Sequence, residues 1–161
     1  MLIRKADEQD LDAVCRLAAQ INRQHHLAMP ELFRGDVDAE AELAFWRDRM
    51  EGEDRVMLLA EREGQILAFA TLTLQMPPPM PFLQARRICR LGTIVVDEAH
   101  QRQGLGSRLI SAAEDWGRQQ HADELRLEVM DFNQGAHALY LRQGLTPQSQ
   151  IMSKPLTGDA Q

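Results

Sequence analysis

The sequence predicts an α/β (α+β) fold built around one sheet, and three observations carry that expectation. Strand-like and helix-like apolar patterns are interleaved without strict alternation. The run Ile94-Val95-Val96 has the composition of a strand buried on both faces, and it leads into a glycine loop that opens a helix. The turn Arg62-Glu63-Gly64 joins two further strand-like stretches as a hairpin. At 161 residues the chain fits one domain, residues 1–161, long enough to bury a real core, and no internal repeat divides it.

The elements follow in order. Residues 2–5 read as a short first strand. Asp7 or Asp10 can cap the helix that follows, whose apolar stripe is Leu11, Val14, Cys15, Ala18 and Ile21. The period breaks over residues 25–38, a loop or short helix whose apolar residues either line a pocket or pack on the core. A second helix is expected over residues 39–50 and strands over 55–60 and 65–74. The proline-rich segment Met76-Pro77-Pro78-Pro79-Met80-Pro81 cannot sit in a ladder and reads as an exposed connection. A strand over 87–96, a helix over 105–120 and an alternating strand over 124–130 follow. A last helix over 133–143 ends at Gly144, and residues 145–156 are expected to supply one or two final strands.

Bulk properties narrow the function classes. A formal charge of −6 argues against a general nucleic-acid binder and is compatible with a cationic acceptor such as an amine. The two cysteines, Cys15 and Cys89, have neither metal-ligand nor disulfide-framework spacing, so no metal is expected. The N-terminus shows no signal-peptide apolar region, and no apolar run approaches the length of a membrane helix. A reducing cytoplasm is the expected compartment.

The unit that carries chemistry is the strand ending at Val96, the loop after it, and the helix opening at Gly104-Leu105-Gly106-Ser107. The first turn of a helix has backbone N–H groups without partners, and its dipole favours negative charge. Glycine lets the backbone approach a ligand closely. The product is an anion site suited to phosphate or pyrophosphate. A P-loop would need Lys before Ser107, where Gly106 stands. A dinucleotide fingerprint would need Gly or Ala where Leu109 stands.

Residues 96–109, Val-Asp-Glu-Ala-His-Gln-Arg-Gln-Gly-Leu-Gly-Ser-Arg-Leu, resemble the acetyl-CoA signature of the GNAT superfamily of N-acetyltransferases. That signature is Gln/Arg-x-x-Gly-x-Gly/Ala after a strand, met here by Gln101, Gly104 and Gly106. The resemblance continues through Glu114, Trp116, Leu127-x-Val129, Asn133, Ala136, Tyr140, Gly144 and the closing Met152-x-Lys154-x-Leu156. In the N-terminal half it extends only to element order.

The resemblance implies a single mixed, mainly antiparallel twisted sheet of about six or seven strands flanked by about four helices. It implies an enzyme that moves an acetyl group from acetyl-CoA to a primary amine, on a small molecule or a peptide. The pyrophosphate would lie on Gln101, Arg102, Gln103, Gly104, Leu105, Gly106 and Ser107. The backbone of Ile94, Val95 and Val96 would pair with the pantetheine amides where two strands splay apart. N–H groups near Val95 would polarise the thioester carbonyl.

Asn133, Ala136 and Tyr140 share a helix face by spacing, and the resemblance turns that face to the pantetheine arm. Asn133 can equally cap its helix, and Tyr140 can equally be a core aromatic. Tyr140 is the candidate general acid toward sulfur. On the acceptor side the candidates are His25, His26, Met29 and Phe33. Imidazole suits proton removal near neutrality, and the two histidines can equally be loop residues without a role. Some relatives carry a carboxylate where this chain has Gly92, so the base is open, with Glu128 a further candidate. Leu145 stands where Phe is usual. A non-catalytic acyl-CoA sensing module and a nucleotide-phosphate protein are the alternatives. A homodimer is compatible with the sequence, and no nucleic acid or membrane partner is expected.

Overall fold

The computed structural model describes residues 1–158. The elements are β1 (Leu2–Lys5), α1 (Leu11–Ala28), α2 (Ala39–Asp48), β2 (Glu51–Gly52), β3 (Arg55–Arg62), β4 (Gln65–Gln75), β5 (Ile88–Val96), α3 (Leu105–Gln119), β6 (Glu124–Leu127) and α4 (Gln134–Arg142). Six strands form one sheet in the order β1-β3-β4-β5-β6, with β2 on β3. Every pairing is antiparallel except β5 with β6, which is parallel. This is the mixed, mainly antiparallel sheet flanked by four helices that the sequence leads one to expect.

Side chains of a strand alternate between its two faces. Met57, Leu59 and Phe69 face one way and pack with Val14, Leu17, Ala18 and Trp46 of α1 and α2. Val56, Leu58, Ala60, Ala68 and Ala70 face the other way and pack with Leu105, Leu109 and Ala113 of α3. Covering both faces explains why β3 and β4 read as near-continuous apolar runs although they pair antiparallel. Cys89 lies under α3 in this second layer, and burial pushes its thiol up to about 11.

Helix ends follow local chemistry. Asp7 accepts the Gln9 N–H at 2.9 Å at the short turn before α1, and Asp38 accepts the Ala41 N–H at 2.7 Å at the start of α2. Asp10 instead binds Arg4, accepting at 2.8 Å from both terminal guanidinium nitrogens, Nη1 and Nη2, and Arg4 Nε also donates to Glu61 at 2.7 Å. These bonds fasten β1 to both α1 and β3.

Three expectations are corrected. Helix α1 continues through His25 and His26 to Ala28 rather than breaking at His25, and it ends because Pro30 forces Met29 out of helical geometry (φ −142, ψ 70). Strand β6 stops at Leu127, not at residue 130. Residues 145–156 form no strand among the described residues: they carry no regular secondary structure, and Ile151, Met152 and Leu156 are exposed. Pro147 and Pro155 each remove a ladder donor there. The proline segment after β4 is exposed, as expected, and borders a groove of about 410 Å³ with Ile88 and Arg126. Among the described residues no helix is long and apolar enough to cross a membrane.

Candidate functional site

The site begins where β5 and β6 part. Their ladder runs from Ile88↔Glu124 to Leu91↔Leu127 and stops. Beyond it β5 continues to Val96 with β4 as its only strand partner among the described residues, while the chain leaving β6 leads to α4. A strand in the middle of a sheet is therefore open along one edge: Gly92 is exposed, and Thr93, Ile94 and Val96 are half-buried.

The ladder sets which backbone groups face that gap. The Asp97 N–H donates to the Leu67 carbonyl at 2.8 Å, and the Thr93 N–H donates to Thr71 Oγ1 at 3.0 Å. Groups alternate sides along an antiparallel strand. Val95 therefore points to β4, and the N–H and C=O of Ile94 and Val96 point to the gap. The Val96 carbonyl accepts from Gln101 Nε2 at 3.4 Å on that open side. The register also slips between Thr71 and Leu72, so that Gly92 is the extra residue of a β-bulge. The position where a carboxylate was looked for is thus a bulge glycine, and a Cβ there would lie 3.1 Å from Thr71 Oγ1.

The loop after β5 leads to the start of α3. Arg102 (φ 59) and Gly104 (φ 81) are both left-handed. Gly104 is the N-cap, and among the described residues no side chain caps the helix. The first-turn N–H groups at Leu105, Gly106 and Ser107 thus have no intrahelical partner and no side-chain substitute, the arrangement an anion fits. Gln101, Arg102 and Gln103 are exposed, and Gln103 Oε1 accepts from Arg62 at 3.3 Å. Gly106 has a packing role as well: a Cβ there would lie 2.9 Å from Leu139 Cδ2. With the bond from Gln143 Nε2 to Ser107 Oγ at 3.1 Å, this seats α4 against the start of α3.

On α4, Asn133 Oδ1 accepts the Ala136 N–H at 3.2 Å, so Asn133 does cap its helix. Tyr140 is buried, and burial pushes its phenol up to about 12. The sequence reading passed over His137, which shares the Asn133–Tyr140 face by spacing. Its Nε2 is buried with no partner among the described residues.

The residues expected on the acceptor side, His25, His26, Met29 and Phe33, lie together at the end of α1. The His25 ring stands edge-on to Phe33 at 4.8 Å and to Phe132 at 5.1 Å. Phe132 precedes the α4 cap and was not singled out in the sequence; through it, the end of α1 meets the segment that leaves β6. Met29 closes α1, and its carbonyl accepts the Leu32 and Phe33 N–H groups at 3.0 Å. His25 Nδ1 lies 2.8 Å from the Ile21 carbonyl, and His26 Nδ1 lies 2.7 Å from the Phe33 carbonyl. A carbonyl only accepts, so each Nδ1 carries its hydrogen and each Nε2 is left as the acceptor nitrogen of the neutral ring. The His26 ring is pressed against Gly35, where a Cβ would lie 2.7 Å from Nε2. Glu128 is exposed beyond β6, with Arg90 at 3.7 Å.

Comparison with known proteins turns on residues 21–145, which match the family model described as Acetyltransferase (GNAT) family. The chain belongs to the GNAT acetyltransferase family. This acetyltransferase is 31% identical over 144 residues to the uncharacterized N-acetyltransferase YhfO of Bacillus subtilis, covering 89% of each chain. Its fold matches that of a mutant of the BH1408 protein of Bacillus halodurans with a TM-score of 0.90 at 28% identity, over 98% of this chain and 100% of that one. The aminoglycoside N-acetyltransferase AAC(6')-Iy, solved in complex with CoA, shares the fold of this acetyltransferase at a TM-score of 0.76 and 18% identity, over 96% and 93% of the two chains.

Proposed function

We propose that this acetyltransferase moves an acetyl group from acetyl-CoA directly to a primary amine held on the α1 side of the gap. One observation carries the reading: the free edge of β5 at Ile94 and Val96 leads through the loop over residues 97–104 to the uncapped start of α3. The uncapped N–H groups suit a pyrophosphate, and the gap-facing groups of Ile94 and Val96 suit amides lying along the strand as an added strand would. A structural relative adds support, since AAC(6')-Iy has been solved with CoA and with a CoA-S-monomethyl-acetylneamine bisubstrate analog.

In the reaction the neutral amine nitrogen bonds to the thioester carbonyl carbon, the C–S bond breaks, and the proton lost from nitrogen ends on sulfur. The Ile94 or Val96 N–H polarises the carbonyl; ladder alternation moves that role off Val95. Tyr140 remains protonated at neutral pH, donates to the departing sulfur and regains a proton from the attacking nitrogen. His25 Nε2 is the proposed base that takes the ammonium proton before attack and passes it to solvent, leaving the neutral amine whose second proton Tyr140 relays to sulfur; Met29 and Phe33 lie beside the acceptor and His26 holds the loop. The acceptor is a small molecule or a peptide, and the free thiols Cys15 and Cys89 suit a reducing compartment.

Thiol release from acetyl-CoA, measured over a panel of primary amines, tests the reading. Turnover with at least one amine class is expected; CoA binding without turnover on any acceptor would leave the second reading. That reading is an acyl-CoA sensing module, favoured by Gly92 standing at a bulge where a carboxylate base could have been.

A further inference from the structure

A side chain on α1 holds the start of the anion loop. Gln20 uses both ends of its amide: Nε2 donates to Asp97 Oδ1 at 2.8 Å, and Oε1 accepts the Glu98 N–H at 2.9 Å. Asp97 is a buried carboxylate at the exit of β5. Its N–H donates to the Leu67 carbonyl at 2.8 Å, its carbonyl accepts the His100 N–H at 2.8 Å, and Oδ2 meets His100 Nδ1. Arg16 approaches Oδ1 at 3.9 Å and donates to the Ile66 carbonyl at 2.9 Å. Hydrogen bonds from Gln20 and His100 hold the Asp97 carboxyl below its usual range, so it stays an anion and an acceptor.

The loop needs such an anchor. Residues 101–104 are exposed, and two of them sit in left-handed geometry. The bonds made within the loop are long, Arg62 to Gln103 at 3.3 Å and Gln101 to the Val96 carbonyl at 3.4 Å, so the direction of its N–H groups is set mainly by its two ends. One end is fixed by burial of Leu105 in the α3 layer. The other is fixed at Asp97 and Glu98, and among the described residues the only side chain that hydrogen-bonds both is Gln20, from another element of the fold.

We infer that Gln20 is a positioning residue for the acyl donor: through Asp97 and Glu98 it aims the anion loop at the donor's pyrophosphate. Gln20 touches neither donor nor acceptor in this role. It also joins the helix that carries His25 to the loop, so donor and acceptor sides are built on one rigid element. The inference rests on the proposed reading of the loop as the pyrophosphate site.

The test compares Gln20→Leu with wild type by calorimetric binding of CoA and by turnover of two donors. Acetyl-CoA carries the pyrophosphate; S-acetylpantetheine carries the same thioester arm without it. Loss of the two bonds is expected to raise the Kd for CoA about tenfold and to lower kcat/KM for acetyl-CoA in proportion. The kcat/KM for S-acetylpantetheine is expected to hold. Gln20→Ala serves as the second variant should the leucine disturb folding. An unchanged Kd for CoA, or an equal loss with both donors, overturns the inference while leaving the acyl-donor reading standing. A wild-type protein that does not bind CoA overturns that reading and this inference with it.

Discussion

Thr71 and Thr93 are joined by a side chain at the point where the ladder between β4 and β5 slips: Thr71 Oγ1 takes the Thr93 N–H at 3.0 Å in place of a backbone carbonyl. Thr71 is buried, so no water replaces it. The bond holds the bulge at Gly92 and with it the direction of the strand from Thr93 to Val96. Thr71→Val keeps the shape and removes the acceptor. It is expected to cost about 1–3 kcal/mol in urea unfolding, the price of an unpaired buried N–H. Thr71→Ser is expected to stay near wild type; equal stability of the Val and Ser variants would refute the role of the hydroxyl.

Tyr140→Phe is expected to lower kcat by roughly 10²–10⁴, the usual contribution of a positioned acid, with CoA affinity little changed. The raised phenol also has a stability signature. In the unfolded chain the group ionises near about 10, and in the fold at about 12. Its contribution is therefore complete below the unfolded value and is lost as pH rises through the folded value. Wild-type stability should fall over that window, and Tyr140→Phe should flatten that part of the fall in alkaline unfolding curves.

What the sequence made legible follows from the range of the physics involved. The anion loop could be read because an uncapped helix start with Gly104 is a local property, as is the hairpin turn at Gly64. The gap could be placed at Val96 only through the resemblance, since the residue at which β6 leaves β5 depends on pairing between distant segments. Phe132 was invisible because its partner His25 lies on another element. His137 was not singled out, because only the packed fold reveals that its Nε2 is buried. The end of α1 was misplaced because two histidines interrupt an apolar stripe, whereas the local stop signal is Pro30. Ile151, Met152 and Leu156 have strand-like composition, yet the residues around them pair with nothing described.

Acid should loosen the β1 corner. Hydrogen bonds from Arg4 hold the Asp10 carboxyl below its ordinary range, against the opposing effect of burial. A lowered folded value means the stabilisation is present above the unfolded value, about 4, and is lost as pH falls through the folded one. Asp10→Asn is expected to lower neutral stability by about 1–3 kcal/mol and to flatten the acid side of the stability–pH curve. An unchanged acid slope would show that other carboxylates govern it.

His25 and His26 are neighbours with the same Nδ1-to-carbonyl bond, and the fold separates their roles. The His26 Nε2 is pressed against Gly35, so the ring is a strut for the loop over residues 29–35. The His25 ring sits edge-on to both Phe33 and Phe132. His26→Ala should therefore cost about 1 kcal/mol of stability by loss of one hydrogen bond and raise KM for the amine as the loop loosens, leaving kcat near wild type. His25→Ala should lower kcat by on the order of 10²-fold, the lower end for loss of a base, with a smaller effect on thermal unfolding. Added imidazole should restore part of the His25→Ala rate, because the vacated ring position can accept a small base, and should not help His26→Ala. If imidazole restores neither variant, or if both lose only KM, proton removal belongs to another group, and His137, with its unpartnered buried nitrogen, becomes the next residue to substitute.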